Sequence, residues 1–289
     1  MRKREYTALI APSVIVMFGF LVVPLYRTIQ WSFQNVSYGS PGTFVGLQNY
    51  VGALTDPRFG RAVGFTVGLT VTTTVVMLVL GYVIATLMNQ IGRARPLVLG
   101  IMLVSYVLPH VVGAAAFSWL FDTNFGGVVN YGLTLLTGQE ILWFTDAWPN
   151  RVMIALNVIW YMLPFAMLII LAGLQGVPTE IIEASKIDGV STWQKHLHVI
   201  IPSIKGVLGF ATLICIMDIL RVFDNLIPLA PNAIPIGNES IMLYIYNEAF
   251  REGNQNLGIG SAVSVLTIIL ILIMLFPFIK GVFTEARAR

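Results

Sequence analysis

Three ionisable side chains, Asp218, Arg221 and Asp224, interrupt an otherwise apolar run over residues 206–228. Spaced by three, they fall on one face of a helix, where Arg221 can pair with either carboxylate. Counted from Lys205, Asp218 would lie roughly 20 Å along such a helix, somewhat past mid-membrane. Charges at that depth face a bundle interior or water. They mark either a transport path or an ion network that fixes helix packing. Two further sets carry polar chemistry into apolar runs. His110 follows Pro109, where it lines a path or bonds a carbonyl freed by the proline. Asn157, with Trp160 and Tyr161, offers hydrogen bonds and an aromatic face that suit sugar rings; the same aromatics equally serve as lipid anchors or core.

No catalytic centre is composed from these residues. There is no Gly-x-x-x-x-Gly-Lys-Ser/Thr phosphate loop, and no Gly-x-Gly-x-x-Gly follows a strand. The chain is therefore not expected to bind or hydrolyse ATP by itself, and no cofactor is expected on it. His196 and His198 stand two apart, on different faces of a helix, with no Cys or third ligand near them. No metal site is expected. Thr66, Thr70 and Thr74 share one helix face, and Ser261, Ser264 and Thr267 nearly share another; small hydroxyl residues serve close helix packing more often than substrate. Pro109 and Pro164 sit mid-run, where they are expected to kink helices and free carbonyls.

The elements that must position these residues follow from composition. The chain of 289 residues is 56% hydrophobic and 11% charged, with mean hydropathy +0.80. Uncharged runs cover 6–26, 62–92, 96–121, 152–179 and 253–279, each longer than the ~20 residues a membrane-crossing helix needs. With 206–228 as a sixth, the expectation is an all-α integral membrane protein of six transmembrane helices, in one domain over 1–289. The spans are placed at about 8–31, 62–88, 96–121, 152–175, 205–228 and 257–280. The basic start, Met1-Arg2-Lys3-Arg4, introduces a long run with no clean small-x-small site before Arg27, and it is taken as a permanent span. The lone Cys215 falls inside the fifth span, so no disulfide forms within the chain.

Orientation follows from the basic residues. One side receives Arg2, Lys3, Arg4, Arg93, Arg95, Lys186, Lys195, Lys205, Lys280, Arg287 and Arg289; the other receives Arg27, Arg58, Arg61, Arg151 and Arg251. Eleven against five places both termini and the 176–203 loop in the cytoplasm. The net charge of +3 reflects this topology and does not call for nucleic acid. Outer loops at roughly 32–61, 122–151 and 229–252 carry Asp56, Asp122, Glu140, Asp146, Glu239, Glu248 and Glu252, enough polar surface to receive an external protein.

The 176–203 loop is longer than a helix connection requires and carries its own helix signals. Thr179 is a candidate N-cap, with Glu180 and Glu183 in the first turn. Gly189 is placed to end that helix in a left-handed conformation. Ser191-Thr192-Trp193-Gln194 reads as a capping box for a second short helix, which Pro202 helps to stop. The result is a two-helix knob projecting from the membrane.

Glu183-Ala184-Ser185, Asp188-Gly189-Val190 and Val199-Ile200-Ile201-Pro202 resemble the EAA loop of ABC-importer permease subunits. Ser185 and Val190 stand where that pattern has alanines; Val199 and Ile201 stand for its Ile and Leu. Pro24-Leu25-Tyr26 to Phe33 and Phe44-Val45-Gly46-Leu47-Gln48-Asn49-Tyr50 are similar to the opening of its carbohydrate-type members, as is Asp218-x-x-Arg221-x-Phe223-Asp224 to some of them. The family's Thr-Gly-Gly-Pro after that triplet is replaced here by Leu229-Ala230-Pro231-Asn232. The resemblance implies a permease of an ATP-driven carbohydrate importer in a prokaryotic inner membrane. It implies a second, similar permease, two copies of a cytoplasmic ATPase carrying ATP and Mg, and an extracytoplasmic solute-binding protein. It also implies that Glu183, Ala184, Ser185, Asp188, Gly189 and Pro202 form the ATPase-coupling element. Within it, Glu183 would meet a basic residue of the ATPase, Gly189 would supply the bend, and Trp193 with Leu197 would pack into its groove. From a different class stands an ion-gradient-driven carrier using Asp218 and Asp224, although no inverted repeat is apparent.

Overall fold

In the computed structural model, residues 3–251 and 255–287 are described, with side chains over 9–251 and 255–278. Arg2, Glu252 and Arg289 lie outside the described residues, as do the side chains of Lys3, Arg4, Lys280 and Arg287. In chain order the helices begin with α1 (Lys3–Met17), α2 (Val23–Ser32), α3 (Gln48–Thr55), α4 (Pro57–Gln90), α5 (Arg95–Val107), α6 (His110–Phe121), α7 (Val128–Thr137) and α8 (Ala147–Gln175). They continue with α9 (Thr179–Ile187), α10 (Thr192–Lys195), α11 (Ile201–Ser203), α12 (Lys205–Ile219), α13 (Leu226–Leu229), α14 (Ala233–Ile236), α15 (Ile241–Tyr246) and α16 (Leu257–Arg287). A two-stranded antiparallel ribbon pairs β1 (Gln34–Asn35) with β2 (Thr43–Phe44), and a single bridge joins Ser37 to Asn256.

Four helical stretches are by themselves long and apolar enough to cross a membrane: Leu9–Ser32, Pro57–Gln90, Ala147–Gln175 and Leu257–Phe278. Two bent pairs bring the number to as many as six if each pair is one span, the first arm of the second pair belonging to the 176–203 loop. α5 and α6 meet at 99°, and Thr192–Ser203 meets α12 at 74°. The first break is the one expected at Pro109: Leu108 and Pro109 are both extended, with ψ of 141° and 131°. Proline disfavours helical geometry in the residue before it and donates no N–H, so the ladder cannot pass. Pro164 behaves differently, since α8 continues through it.

The run expected to be helical to residue 228 is not. α12 ends at Ile219, so Asp218, Arg221 and Asp224 do not share a helix face. Pro228 further on can neither donate to the carbonyl four residues before it nor fit beside it. Other groups satisfy the freed backbone. Ser240 Oγ donates to the Val222 carbonyl at 3.0 Å, and Asn150 Nδ2 to the Leu229 carbonyl at 2.8 Å.

The contacts fall into two units: residues 1–60 with 241–272, and residues 61–240 with 273–289. In the first, Asn49 Nδ2 donates to the carbonyls of Ser32 and Gln34, tying α3 to the end of α2 and the ribbon. Tyr244 donates to Asp56 Oδ2 at 2.8 Å, and Arg58 pairs with Glu248 at 3.0 Å while lying over the Tyr244 ring. Burial first, then the bond to Asp56, pushes the Tyr244 hydroxyl far above its ordinary value.

In the second unit α8 is the central post, packed by α5 and α12 and touched by α6 and α13. Met167, Ile170, Leu171 and Leu174 of α8 are buried with Ala85 and Met88 of α4 and with Ile200, Ile204 and Ala211. A Cβ on Gly173 would come within 2.8 Å of Val207 Cγ1, so only glycine allows α8 and α12 to pack this closely. Thr66, Thr70 and Thr74, the expected face of α4, are buried; Thr66 and Thr70 bond back to carbonyls one turn earlier, whereas Thr74 Oγ1 has no partner among the described residues. That is the packing role expected of small hydroxyls in lipid.

Candidate functional site

The knob is built by two end motifs. At the close of α9, Gly189 has φ of +68°; its N–H donates to the Lys186 carbonyl and that of Val190 to the Ser185 carbonyl. This pair of bonds is a complete Schellman motif, and the left-handed residue it needs is glycine. Two residues later Ser191 Oγ accepts from the Gln194 N–H while Gln194 Oε1 accepts from the Ser191 N–H, the expected capping box. The start of α9 differs from expectation. Pro178 occupies the N-cap position in an extended conformation, and Thr179 is the first helical residue with no capping bond. The fixed φ of Pro178 sets the entry angle instead.

Pro202 does not end its helix at once. A wide turn over His196–Ile200 precedes it, in which the Ile201 N–H reaches the His196 carbonyl, and the helix stops at Ile204. Proline offers no N–H to the carbonyl four residues back, and a wide turn absorbs that loss.

Of the residues expected to form the coupling element, Glu183, Ala184 and Asp188 are exposed, whereas Ser185 is buried and bonds the Ile182 carbonyl at 2.7 Å. The knob exposes large apolar side chains from its tip to its base: Ile187 is 86% exposed, Trp193 72% and Leu197 40%. His196, to which sequence alone assigned no partner, has one. Its Nδ1 lies 2.6 Å from the Tyr82 hydroxyl on α4, with the rings edge to face. Burial, and then the charge of Lys195, holds its imidazole below the ordinary value.

The second cluster gathers around the middle of α8. Asn157 and Tyr161 are buried on that helix, and His110 opens α6 with its ring 4.8 Å from that of Tyr161. Asp218 and Asp224 both lie within electrostatic range of Tyr161, and Asp218 within range of His110 and Arg221. So the structure brings His110, Tyr161 and the charge triplet to one place, although they come from three segments. It does not pair the triplet: all three are exposed, and among the described residues no ion pair joins them. The broken helix turns their side chains away from the expected i, i+3 register. Asn157 Oδ1 accepts from buried Asn225 Nδ2 at 2.8 Å, and its own Nδ2 has no protein partner. Trp160 packs on Gly113 and Phe117 rather than beside Tyr161.

The residues that fix this geometry were missed by sequence reasoning. Asn150, Asn225, Asn238 and Ser240 are all buried, and Asn238 Nδ2 donates to Asn150 Oδ1 and the Ala147 carbonyl. The readable part of this signal was Asn225 and Asn238 flanking Pro228, Pro231 and Pro235, where a helical ladder is bound to fail; Asn150 and Ser240 carried none. Among the described residues, no cluster of three His, Cys, Asp or Glu could hold a metal ion.

Comparison with known proteins extends these observations. A family model described as "Binding-protein-dependent transport system inner membrane component" matches residues 77–284, which include the knob and both arms of the α8 cluster. The trehalose/maltose transport system permease protein MalF of Thermococcus litoralis is 28% identical, the alignment covering 94% of this chain and 91% of the relative. The trehalose transport system permease protein SugA of Mycobacterium tuberculosis is 30% identical over 96% of this chain and 88% of its own. In fold, a chain of a bacterial ABC transporter involved in the import of the acidic polysaccharide alginate superposes with a TM-score of 0.83, at 20% identity and 96% coverage of both chains. None of these comparisons supports the ion-driven carrier.

Proposed function

Since this chain belongs to the family of binding-protein-dependent transport system inner membrane components, we propose that it translocates a carbohydrate as one permease of an ATP-driven importer. It is a multi-pass inner-membrane protein and a transport subunit, not an enzyme. The observation that carries the coupling role is the knob, a two-helix projection closed by its end motifs, on whose surface Ile187 and Trp193 are exposed. Exposed apolar area of this kind at a water-facing end marks a docking surface. The occupant is a cytoplasmic ATPase subunit: Trp193 and Leu197 enter its groove, and exposed Glu183 meets a basic residue there. ATP and Mg reside on that ATPase.

Closure of the ATPase dimer pushes the knob. Its motion reaches the α8 cluster by two routes visible in the fold. α9 follows directly from α8, and Tyr82 ties His196 to α4. The cluster is the cargo path. Tyr161 and His110 offer aromatic faces, the carboxylates of Asp218 and Asp224 accept sugar hydroxyls, and Arg221 donates to them. The free Nδ2 of Asn157 is a further donor. A second, similar permease completes the path, and an extracytoplasmic binding protein delivers the sugar to the outer loops. Both termini and the knob are cytoplasmic, following the basic-residue bias.

The test is reconstitution with a cognate ATPase, second permease and binding protein. Proteoliposomes are expected to accumulate a radiolabelled di- or oligosaccharide only with ATP and binding protein, and to do so after ion gradients are collapsed. Uptake by this chain alone under an imposed proton or sodium gradient would overturn the proposal.

A further inference from the structure

A cavity of about 720 Å³ opens between the ends of α4 and α8 that lie opposite the knob. Its rim carries two guanidiniums, Arg61 and Arg151, and no carboxylate lines it. Arg151 is held in place: Nε donates to Asn238 Oδ1 at 2.6 Å, and Cζ sits 5.3 Å from the centre of the Trp148 ring. Arg61 makes no hydrogen bond or ion pair among the described residues.

Below the rim the walls are apolar. Gly64, Gly68 and Thr72 follow Arg61 along one stripe of α4. A Cβ on Gly64 or Gly68 would meet nothing within 4 Å, so the helix presents an open slot there. From Arg61 to Thr72 the slot runs roughly 16 Å at ~1.5 Å per residue, about half of a ~30 Å hydrocarbon core. That is the depth of one leaflet.

We propose that this cavity binds an anionic phospholipid, with its phosphate between Arg61 and Arg151 and one acyl chain along Gly64 and Gly68. Guanidinium forks match phosphate oxygens in geometry and charge. Trp148, 72% exposed at the same rim, is the residue type that settles at headgroup depth. A run of glycines also admits a partner helix. An apolar helix, however, would leave two cations without an anion, whereas a phospholipid answers rim and slot together. The proposal requires only that the chain spans a membrane, so its failure would leave the transport reading standing.

The experiment uses the whole transporter in mild detergent, with bound lipid counted by native mass spectrometry after incubation with phosphatidylglycerol or phosphatidylcholine. The wild type is expected to retain phosphatidylglycerol in preference. Arg61→Gln should reduce that retention about fivefold, the effect of one arginine at a lipid surface. Gly68→Leu, which fills the slot and leaves the charge, should reduce it as well. Equal retention of the two lipids, or unchanged retention in both variants, overturns the proposal. So does a density map in phosphatidylglycerol nanodiscs that places a helix of the second permease in the slot. Should Gly68→Leu fail to assemble, Arg61→Gln decides alone, because exposed Arg61 has no protein partner to lose.

Discussion

The Tyr82 hydroxyl lies 2.6 Å from Nδ1 of His196, linking a membrane-crossing helix to the wide turn at the base of the knob. The two residues are 114 apart in sequence. The bond adds a polar tie to the apolar one already made where Ile200 is buried with Ala85 and Met88 of α4. Together they join the knob to α4 as well as to α8 and α12, so under the proposed coupling a push at its tip would be shared among three helices.

This bond makes coupling sensitive to pH. A neutral imidazole can accept the Tyr82 proton at Nδ1; a protonated one cannot. Because the imidazole is held below its ordinary value, the attached knob binds fewer protons than the free one. Its stabilisation is complete above about pH 6.5 and is lost as pH falls through the depressed value. Thermal stability and transport-coupled ATP hydrolysis of the complex should therefore decline on the acid side. His196→Gln should flatten that slope and cost about 1 kcal/mol at neutral pH. Equal slopes in variant and wild type would rule the bond out as the cause.

Gly189 tests the knob itself. Valine there meets no steric neighbour but must adopt φ of +68°, at roughly 1–2 kcal/mol. The cost falls on the Schellman turn that aims α10. Gly189→Val and Glu183→Arg should each uncouple or detach the ATPase while membrane insertion stays normal. Co-purification and ATPase assays on the assembled transporter check this, and full transport in both variants would remove the docking assignment.

The charge cluster tests the cargo path. With no ion pair among them, Arg221→Ala has no reason to be worse than Asp218→Asn, contrary to what a flanked arginine would imply. Asp224 is exposed, so Asp224→Asn should leave thermal stability within about 0.5 kcal/mol. It should instead change apparent affinity or preference among several sugars in an uptake assay. Lost stability with unchanged preference would make the cluster structural.

Asn150 tests the framework that shapes the path. Its side chain is fully buried and donates to the carbonyls of Trp143 and Leu229. Asn150→Ala strands both acceptors and the Asn238 amide, and should cost about 2 kcal/mol or more in thermal unfolding. An unchanged melting temperature would show that water replaces the amide without loss.

Topology is checked by thiol labelling in a Cys215→Ser background, since Cys215 is buried. Single cysteines introduced near Gly42 and Gly138 should react with an impermeant reagent added outside. One at Gln194 should react only after the membrane is opened; the reverse pattern would invert the orientation.

Much of this protein was legible in its sequence, for a local reason in each case. Long apolar runs make helices in lipid because no other arrangement satisfies the backbone there. The knob was readable because Gly189 and the Ser191–Gln194 box act within a few residues of chain. Pro109 announced its break for the same reason. Pro164, chemically the same, lies in a helix that continues, because neighbours packed on α8 hold it. The end of α12 at Ile219, the dispersal of Asp218, Arg221 and Asp224, and the Tyr82–His196 bond were not readable. Each depends on groups distant in sequence: Ser240 takes the Val222 carbonyl, Asn150 takes that of Leu229, and α4 supplies a hydroxyl to the knob. Helical periodicity by itself determined that the charges could meet on one face. The tertiary hydrogen bonds decided that the helix stops first, because they satisfy a bent backbone at lower cost than proline allows a straight one.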